Sequence, residues 1–146
     1  MDGADGQDGE DGNANVIASE WFSFENSDWG GNDDQQNVTK DAPEITQNVL
    51  DSSAILVYRQ VLAPSDGPTP LPVYNGIFYT SFTLDVGEID FKTIRTDGNT
   101  VIISNSSNVQ YRYVIIPPAA STSGKANYDF EKMTYEEVMN HLGLDY

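Results

Sequence analysis

The chain has 146 residues, of which 38% are hydrophobic and 11% aromatic, which is enough for one domain with a buried core. Its 7 Lys and Arg residues against 23 Asp and Glu residues give a formal net charge of -16 at pH 7, which repels phosphate backbones and argues against nucleic-acid binding. The chain contains no cysteine, which excludes disulfides, zinc-thiolate sites and Cys nucleophiles, and no run approaches the roughly 18 apolar residues of a membrane-spanning helix.

The first 15 residues differ in composition from the rest of the chain. Gly3, Gly6, Gly9 and Gly12 recur at every third position, which is the period of the collagen triple helix, where only glycine fits at the axis. The repeat is short, has no proline and carries acidic but no basic residues, so three such strands would repel one another. We therefore predict a flexible acidic spacer over residues 1–15, and a triple helix is the alternative.

Residues 16–146 are predicted to form the globular domain. Residues 16–24 are rich in β-branched and aromatic side chains and favour a first strand. Residues 26–41 are polar and contain a Gly-Gly dipeptide, so they are predicted to form a loop. Residues 43–50 are compatible with a short helical turn.

The strongest strand signal in the chain is the segment 54–62. It is nearly continuous in apolar residues, which is typical of a strand that is covered on both faces. Residues 64–72 contain four prolines. Because proline cannot donate a hydrogen bond to a neighbouring strand, residues 64–72 are predicted to be a loop.

The second half of the chain continues with short strands separated by turn residues. We predict strands at residues 76–84, 88–95, 101–104 and 109–116, and a tight hairpin turn at residues 97–98, where Asp is followed by Gly. Several short strands at this spacing are typical of a sandwich or a barrel. The predicted fold is all-β, an Ig-like β-sandwich of about seven strands.

The C-terminal tail changes from the two-residue period of a strand to the period of a helix. Its apolar residues at positions i, i+3, i+4 and i+7 are Tyr135, Val138, Met139 and Leu142. Thr134 and Glu137 have the spacing of a capping box, and Gly143 follows where a C-terminal cap belongs. We predict a short amphipathic helix over 134–142, which would cover an open end or edge of the sheets.

The sequence offers no recognisable catalytic site, and we predict that the protein is not an enzyme. His141 is the only histidine, so the usual ligands of zinc or copper and a His-based triad are missing. Glu88 and Asp90 lie on the polar face of an alternating strand, where carboxylates are expected to be exposed. No cofactor is expected apart from the calcium ion considered next.

Four oxygen-bearing side chains surround the Gly-Gly dipeptide. Asp28, Asn32, Asp33 and Asp34 supply the hard oxygen ligands that calcium prefers, although their spacing is not that of an EF-hand loop. They make a candidate calcium site. The alternative is a solvated acidic loop.

Two tryptophans are candidates for a ligand platform. Trp29 lies in polar surroundings and Trp21 in the first predicted strand, and an exposed aromatic ring of this kind can stack on a sugar or a peptide. The alternative is that both rings belong to the core.

Six segments together resemble the uncharacterised collagen-like-repeat surface lipoproteins of Bacteroidota. They are the Gly-x-y run that ends at residues 12–16, Ile45–Asp51, Ile55–Tyr58, Leu71–Tyr74, Tyr111–Pro117 and Met133–Val138. Members of this family look like proteins with a lipid-modified Cys directly before the Gly triplets, and Met1 stands at that place here. The resemblance implies an extracytoplasmic protein at the outer-membrane surface that contacts the membrane only through a lipid anchor, which this chain does not contain.

These observations favour a non-enzymatic cell-envelope surface protein. It would be an accessory or binding subunit of an outer-membrane protein complex, and its partners would be other envelope proteins such as a transporter or a secretion complex. One alternative is a self-assembling module, a homo-oligomer that forms trimers through the Gly triplets or fibres through strand exchange. A second alternative is a carbohydrate-binding domain.

Overall fold

A computed structural model describes residues 15–118 and 133–145 of the chain. The described residues form nine strands and two α-helices. The strands are β1 (Ile17–Ala18), β2 (Gly30–Asn32), β3 (Gln35–Asp41), β4 (Ala54–Val61), β5 (Asp66–Pro70), β6 (Val73–Tyr74), β7 (Phe78–Asp85), β8 (Glu88–Arg95) and β9 (Val109–Ile116), and the helices are α1 (Gln47–Ser52) and α2 (Tyr135–Leu142). The predicted spacer with its four glycines at positions 3, 6, 9 and 12 lies outside the described residues.

The strands form two antiparallel sheets. The four-stranded sheet has the order β1-β9-β4-β5, and the five-stranded sheet has the order β2-β3-β8-β7-β6. One hydrophobic cluster contains inward-facing side chains from both sheets, so the sheets pack face to face as a β-sandwich. The predicted all-β sandwich is confirmed. The described strands number nine rather than about seven, because four short edge strands complete the sheets.

The core between the sheets follows from the alternation of side chains along each strand. In β9 the inward positions carry Tyr111, Tyr113 and Ile115, and they meet Ile89 and Phe91 of β8. The rings of Phe91 and Tyr111 lie 4.7 Å apart between centroids. All five side chains are at most 3% exposed, so this part of the interior is tightly packed.

Strands β4 and β9 are buried on their second face as well. The outward positions of these strands, among them Tyr58, Val114 and Ile116, pack against Val138 and Met139 of α2 in a second hydrophobic cluster. This packing explains why the β4 segment is apolar at nearly every position. The helix therefore covers the outer face of the four-stranded sheet, and it also contacts the edge strand β5, so the predicted edge position describes only part of its contact.

Both ends of α2 are capped as the sequence predicts. The Thr134 Oγ1 accepts a hydrogen bond from the Glu137 amide at 3.1 Å, and the Thr134 amide donates to Glu137 Oε1 at 2.8 Å. Gly143 closes the helix with a φ of 71°, a left-handed conformation that suits glycine. The capping box and the glycine cap are therefore confirmed.

Two stretches that were predicted to be loops contain strands. Strand β3 lies within residues 26–41 and pairs with β8 over its full length, although Val38 is its only buried residue. Strand β5 lies within the proline-rich segment and pairs with β4 as an edge strand. An edge position tolerates proline because one side of the strand needs no partner.

Two predicted strands are shortened or missing. Only Ile17–Ala18 of the first strand is regular, with an isolated bridge from Phe22 to Tyr111 further along. The returning strand at 101–104 does not form, because the Val101 amide donates to the Asp33 carbonyl at 2.6 Å instead of pairing with β8. The segment after β8 is therefore a wide loop that crosses the end of the sandwich.

Candidate ligand cavity

The inner faces of the strands change from apolar to polar at one level of the sandwich. Along β4 the inward positions pass from Val57 to Arg59, along β7 from Phe82 to Thr80, and along β8 from Phe91 to Thr93. Thr80 and Thr93 are directly paired in the sheet, and their hydroxyl oxygens lie 3.4 Å apart. Polar side chains from both sheets therefore face the same part of the interior.

A cavity of about 260 Å³ occupies this level of the sandwich. Its polar lining comes from Arg59, Asp66, Thr69, Asn75, Thr80, Thr93, Ser104, Ser106 and Tyr111, and its apolar lining from Trp29, Val73, Phe78, Ile102, Ile103 and Val109. At about 30 Å³ per water molecule, the cavity has room for roughly nine waters, and a ligand of this size is a single small ring. The volume is near the lower end of the range for ligand pockets, which begins at about 300 Å³.

Arg59 is the cationic residue of the lining among the described residues. Its Nε is buried and has no hydrogen-bond partner in the part of the chain that the structure describes. Arg59 lies opposite Tyr111 of β9 and Thr69 of β5 in the four-stranded sheet. Burial raises the pKa of the Tyr111 phenol, and the neighbouring Arg59 guanidinium opposes that shift, so Tyr111 stays protonated and presents a neutral hydroxyl.

Trp29 is held in place at the cavity by two contacts. Its Nε1 donates to the Ser106 Oγ at 2.9 Å, and its ring meets Phe24 edge to face at 5.9 Å between centroids. Ser106 is itself fixed, because its amide donates to the Asn26 side chain at 2.7 Å. The indole is thus a wall of fixed orientation. Ile102 stands next to the cavity with 75% of its surface exposed, which places the loop after β8 at the boundary with solvent.

A second arginine approaches the cavity but is already occupied. Arg95 lies over the ring of Phe78, a cavity-lining residue, with 5.3 Å from its Cζ to the ring centroid. Its Nε and Nη2 donate to the two carboxylate oxygens of Asp97 at 2.7 and 3.0 Å. This pairing, with the Asn99 amide, holds the pKa of Asp97 well below its usual range. The charge of Arg95 is therefore neutralised by Asp97.

The structure separates the two tryptophans that were predicted as a platform. Trp29 lines the cavity, whereas Trp21 packs in the outer cluster against Tyr135 of α2, with 5.8 Å between ring centroids. The two rings lie on opposite sides of the four-stranded sheet and do not form one surface. Of the pair, Trp29 is the ring that a ligand in the cavity would contact.

The residues of the predicted calcium site serve the backbone of the loop. The Asp28 carboxylate accepts from the Glu25 amide at 2.9 Å, and Asp33 and Asp34 form the turn between β2 and β3, where their carbonyls accept from other segments. Asn32 belongs to β2. Within residues 15–118 and 133–145, no group of three or more acidic or histidine side chains comes together around a point that suits a metal ion.

Sequence reasoning missed Arg59, Thr80 and Thr93 as candidate site residues. A signal was present, because Arg59 and Thr80 interrupt, and Thr93 ends, runs of apolar residues at inward positions of their strands. Reading that signal requires the direction of every side chain and the pairing of the strands across the sandwich. A single segment such as 54–62 does not provide this information.

Comparisons of the chain with protein-family models, with curated proteins and with solved structures find no match. In the described part of the chain, neither helix has the length and apolarity to cross a bilayer. A functional proposal therefore depends on the residues of the cavity themselves.

Proposed function

We propose that the protein is a non-enzymatic binding module that takes a small polyhydroxylated ligand, such as a single sugar residue, in the cavity between its sheets. The observation that carries the proposal is the lining of the cavity, in which Arg59 and hydroxyl-bearing side chains of both sheets lie beside the indole of Trp29. A cavity that combines a few polar groups with aromatic and apolar walls is typical of a site for a small polar ligand.

The lining favours a sugar over a purely apolar ligand. Thr69, Thr80, Thr93, Ser104 and Asn75 line the cavity, and side chains of these types both donate and accept hydrogen bonds. Sugar hydroxyls require this combination. An apolar ligand would gain no hydrogen bond from this polar lining.

The indole of Trp29 supplies the apolar part of the same recognition. Sugar rings have one face of C–H groups that packs on an aromatic ring, and a ring that is already fixed loses little freedom on binding. The hydrogen bond to Ser106 and the contact with Phe24 fix Trp29 before any ligand arrives. This arrangement supports the carbohydrate-binding function that the sequence left as an alternative.

The two tryptophans provide a direct test of the proposal. Trp21→Phe leaves Trp29 as the fluorescent reporter in the cavity, and Trp29→Phe leaves Trp21 on the far side of the sheet as the control. We expect a panel of neutral and acidic monosaccharides to include at least one that changes the emission of the Trp21→Phe variant in a saturable way. The Trp29→Phe variant should not respond.

Two results would reject the proposal. The first is that no monosaccharide of the panel changes the emission of Trp29 or raises the melting temperature of the wild-type protein. The second is that both variants respond equally, because such a response is not specific to the cavity. A saturable response of Trp29 alone supports binding in the cavity.

The place of this module in the cell stays a prediction. The resemblance of the sequence to surface lipoproteins implies an outer-membrane location and an envelope complex as the partner, and the proposed ligand is compatible with that location. Purification of the protein from its native envelope, followed by mass spectrometry, tests the partner. Recovery of a transporter or secretion component in equal amount supports an accessory subunit, and recovery of the chain alone contradicts it.

A further inference from the structure

We infer that the outer face of the five-stranded sheet carries a second binding surface, on which an extended neutral glycan lies across two exposed tyrosines. The inference rests on the proposed function for its ligand class and extends it from one sugar residue to a chain of them. The surface is a row of side chains from four neighbouring strands, which we call the tyrosine row. It consists of Tyr74 of β6, Tyr79 of β7, Ile94 of β8 and Gln35 of β3.

The strand register brings the tyrosine row to one level of the sheet. Tyr74 is paired with Tyr79, Tyr79 with Ile94, and Ile94 with Gln35, so the four side chains lie side by side. Val73, the chain neighbour of Tyr74 in β6, lines the cavity. Because successive side chains of a strand point to opposite faces of the sheet, the tyrosine row points away from the cavity and toward solvent.

The ring of Tyr74 is both exposed and fixed. Its hydroxyl donates to the Gly76 carbonyl at 3.0 Å and lies 3.4 Å from the hydroxyl of Thr96, which follows β8. The side chain starts in β6 and its tip reaches a residue beyond the end of β8, so the ring lies across the sheet.

The two tyrosines expose much of their surface to solvent. The exposed fraction is 56% for Tyr74 and 37% for Tyr79. An aromatic face that is open to solvent is suited to stacking on the C–H face of a sugar ring, and a ring that is already fixed loses little freedom on binding. Gln35 ends the row with an amide, which both donates to and accepts from hydroxyls.

The charges of this face favour a neutral ligand. The four residues of the tyrosine row are uncharged, and the first carboxylate on this face of the strands is that of Asp90, four residues along β8 from Ile94. At about 3.3 Å per residue the two lie roughly 13 Å apart along the strand, which is beyond the Debye length of about 8 Å, and Lys92 stands between them. The net charge of -16 repels an anionic glycan.

The size and charge of the surface argue against a protein as its occupant. Stable protein interfaces bury about 800 Å² on each partner, whereas the tyrosine row offers two exposed rings and one half-buried isoleucine. A second copy of the chain would bring a further formal net charge of -16 to this surface. The strands lie about 4.8 Å apart, which is close to the spacing of successive rings in an extended glycan. Neighbouring residues of the row therefore contact neighbouring sugar rings.

Affinity electrophoresis of the full chain in native gels tests the inference. Separate gels contain one of the soluble neutral polysaccharides xyloglucan, galactomannan and mixed-linkage β-glucan, or the anionic polygalacturonate, or no polysaccharide. We expect at least one neutral polysaccharide to retard the wild-type protein in a concentration-dependent way. Polygalacturonate should not retard it, because the protein and the polymer are both negatively charged.

Paired variants locate the binding. Tyr74→Thr combined with Tyr79→Thr removes both rings and keeps residues that favour a strand, and we expect it to weaken polysaccharide binding at least about tenfold. Thr83→Ala changes an exposed residue on the same face of β7 outside the row, and the affinity should stay within a factor of about two. If the double variant does not fold, Tyr74→Thr alone should weaken binding at least about threefold.

The outcomes separate the tyrosine row from the cavity. Trp29→Phe should bind the polysaccharide as the wild-type protein does, and the double tyrosine variant should keep the response of Trp29 to a monosaccharide. If Trp29 responds but no neutral polysaccharide retards the protein, the inference is wrong and the cavity stands. If the polysaccharide binds through the row and Trp29 responds to no sugar, the cavity is wrong and the row stands.

Three further results would overturn the inference. The first is equal retardation of the double tyrosine variant and the wild-type protein, because binding would then lie elsewhere. The second is stronger retardation by polygalacturonate than by every neutral polysaccharide. The third comes from sedimentation velocity without any sugar. A wild-type dimer that becomes a monomer in the double variant would assign the row to contact between two copies of the chain.

Discussion

The four-stranded sheet carries an arginine on each of its two faces, Arg112 buried and Arg59 partly buried, and the two are used differently. Arg112 points outward from β9, where its Nε donates to the Ser19 carbonyl at 2.9 Å and its Nη1 donates to the Tyr135 hydroxyl and the Asp145 carbonyl, both at 2.7 Å. Arg59 points inward from β4 to the cavity, and its Nε has no partner among the described residues. The strands that carry them are neighbours.

This difference distinguishes an arginine that stabilises the fold from one that lines the cavity. Arg112 ties the first strand, the sheet and the C-terminal segment together, so its hydrogen bonds are part of the folded state. The Arg59 Nε is a donor to which the described residues supply no acceptor. A buried donor without a partner is unfavourable for folding.

The largest expected effect comes from removing Arg112, and Arg59 is the comparison. We expect Arg112→Met to lower the free energy of unfolding by about 3 kcal/mol, because it breaks three hydrogen bonds of the guanidinium, one of them fully buried. Arg59→Met should change it by less than about 1 kcal/mol in either direction, since no protein hydrogen bond of the Nε is lost. Urea denaturation of the two variants measures both values. Equal losses would contradict the distinction between the two residues.

A matched pair of valines compares the packing on the two faces. Val138 of α2 is fully buried in the outer cluster, and Val73 lines the cavity. We expect Val138→Ala to cost about 2 kcal/mol, from two lost methyl groups and the hole that they leave. Val73→Ala should lower the free energy of unfolding by less than about 1 kcal/mol, because the Val73 side chain is only partly buried and borders the cavity. Thermal or urea unfolding measures the difference, and a larger loss at Val73 would contradict it.

Alkaline unfolding, compared between the wild-type protein and a Tyr58 variant, probes the outer face. Burial raises the pKa of the Tyr58 phenol well above its ordinary value of 10.0, with Tyr135 adding to the shift and Arg112 opposing it. A group whose pKa is higher in the folded state contributes its full stability below pH 10.0 and loses it as the pH rises toward the folded value. The free energy of unfolding should therefore decline above that pH.

The Tyr58→Phe variant is the control for this pH dependence. Without the Tyr58 phenol, the alkaline decline in the free energy of unfolding should be shallower than in the wild-type protein. The measurement is urea denaturation at several pH values between 8 and about 11. An unchanged slope in the variant would contradict the claim that burial raises the pKa of Tyr58 in the folded state.

The smallest expected effect is at the start of α2. Thr134→Ala removes the side chain that accepts from the Glu137 amide, and loss of such a cap costs about 1 kcal/mol. Thr134→Ser retains the hydroxyl and should restore most of the stability. Ligand binding in the cavity should be the same in both variants, because α2 lies on the opposite face of the sheet. A loss of binding would show that the two faces are coupled.

Much of the fold could be predicted from local patterns. The continuous apolar run of β4 predicts a strand that is buried on both faces, and residues 134–143 contain every element of a capped helix. Strand β3 could not be predicted in this way, because its residues are polar and its position depends on backbone hydrogen bonds to β8. The proline-rich β5 is tolerated because it is an edge.

The candidate site was harder to predict than the fold. Trp29 is a large aromatic residue in a polar stretch of the sequence, so it could be recognised as a candidate. Arg59, Thr80 and Thr93 are ordinary residues of ordinary strands, and they form a site only because the register of both sheets brings them to one level. The acidic residues near the Gly-Gly dipeptide are equally conspicuous in the sequence, but Asp28, Asp33 and Asp34 accept hydrogen bonds from backbone amides.

The most direct test of the central claim is an NMR measurement of the two arginine Nε–H groups. Proton–nitrogen spectra of the labelled protein are recorded with and without the monosaccharide that changes the emission of Trp29, and Arg59→Lys identifies the Arg59 signal. We expect the Arg59 Nε–H signal to shift in a saturable way as the sugar is added, because Arg59 lines the cavity, whereas the Arg112 signal stays in place. An Arg59 signal that does not move, or equal shifts of both signals, would contradict the claim that the ligand binds in the cavity beside Arg59.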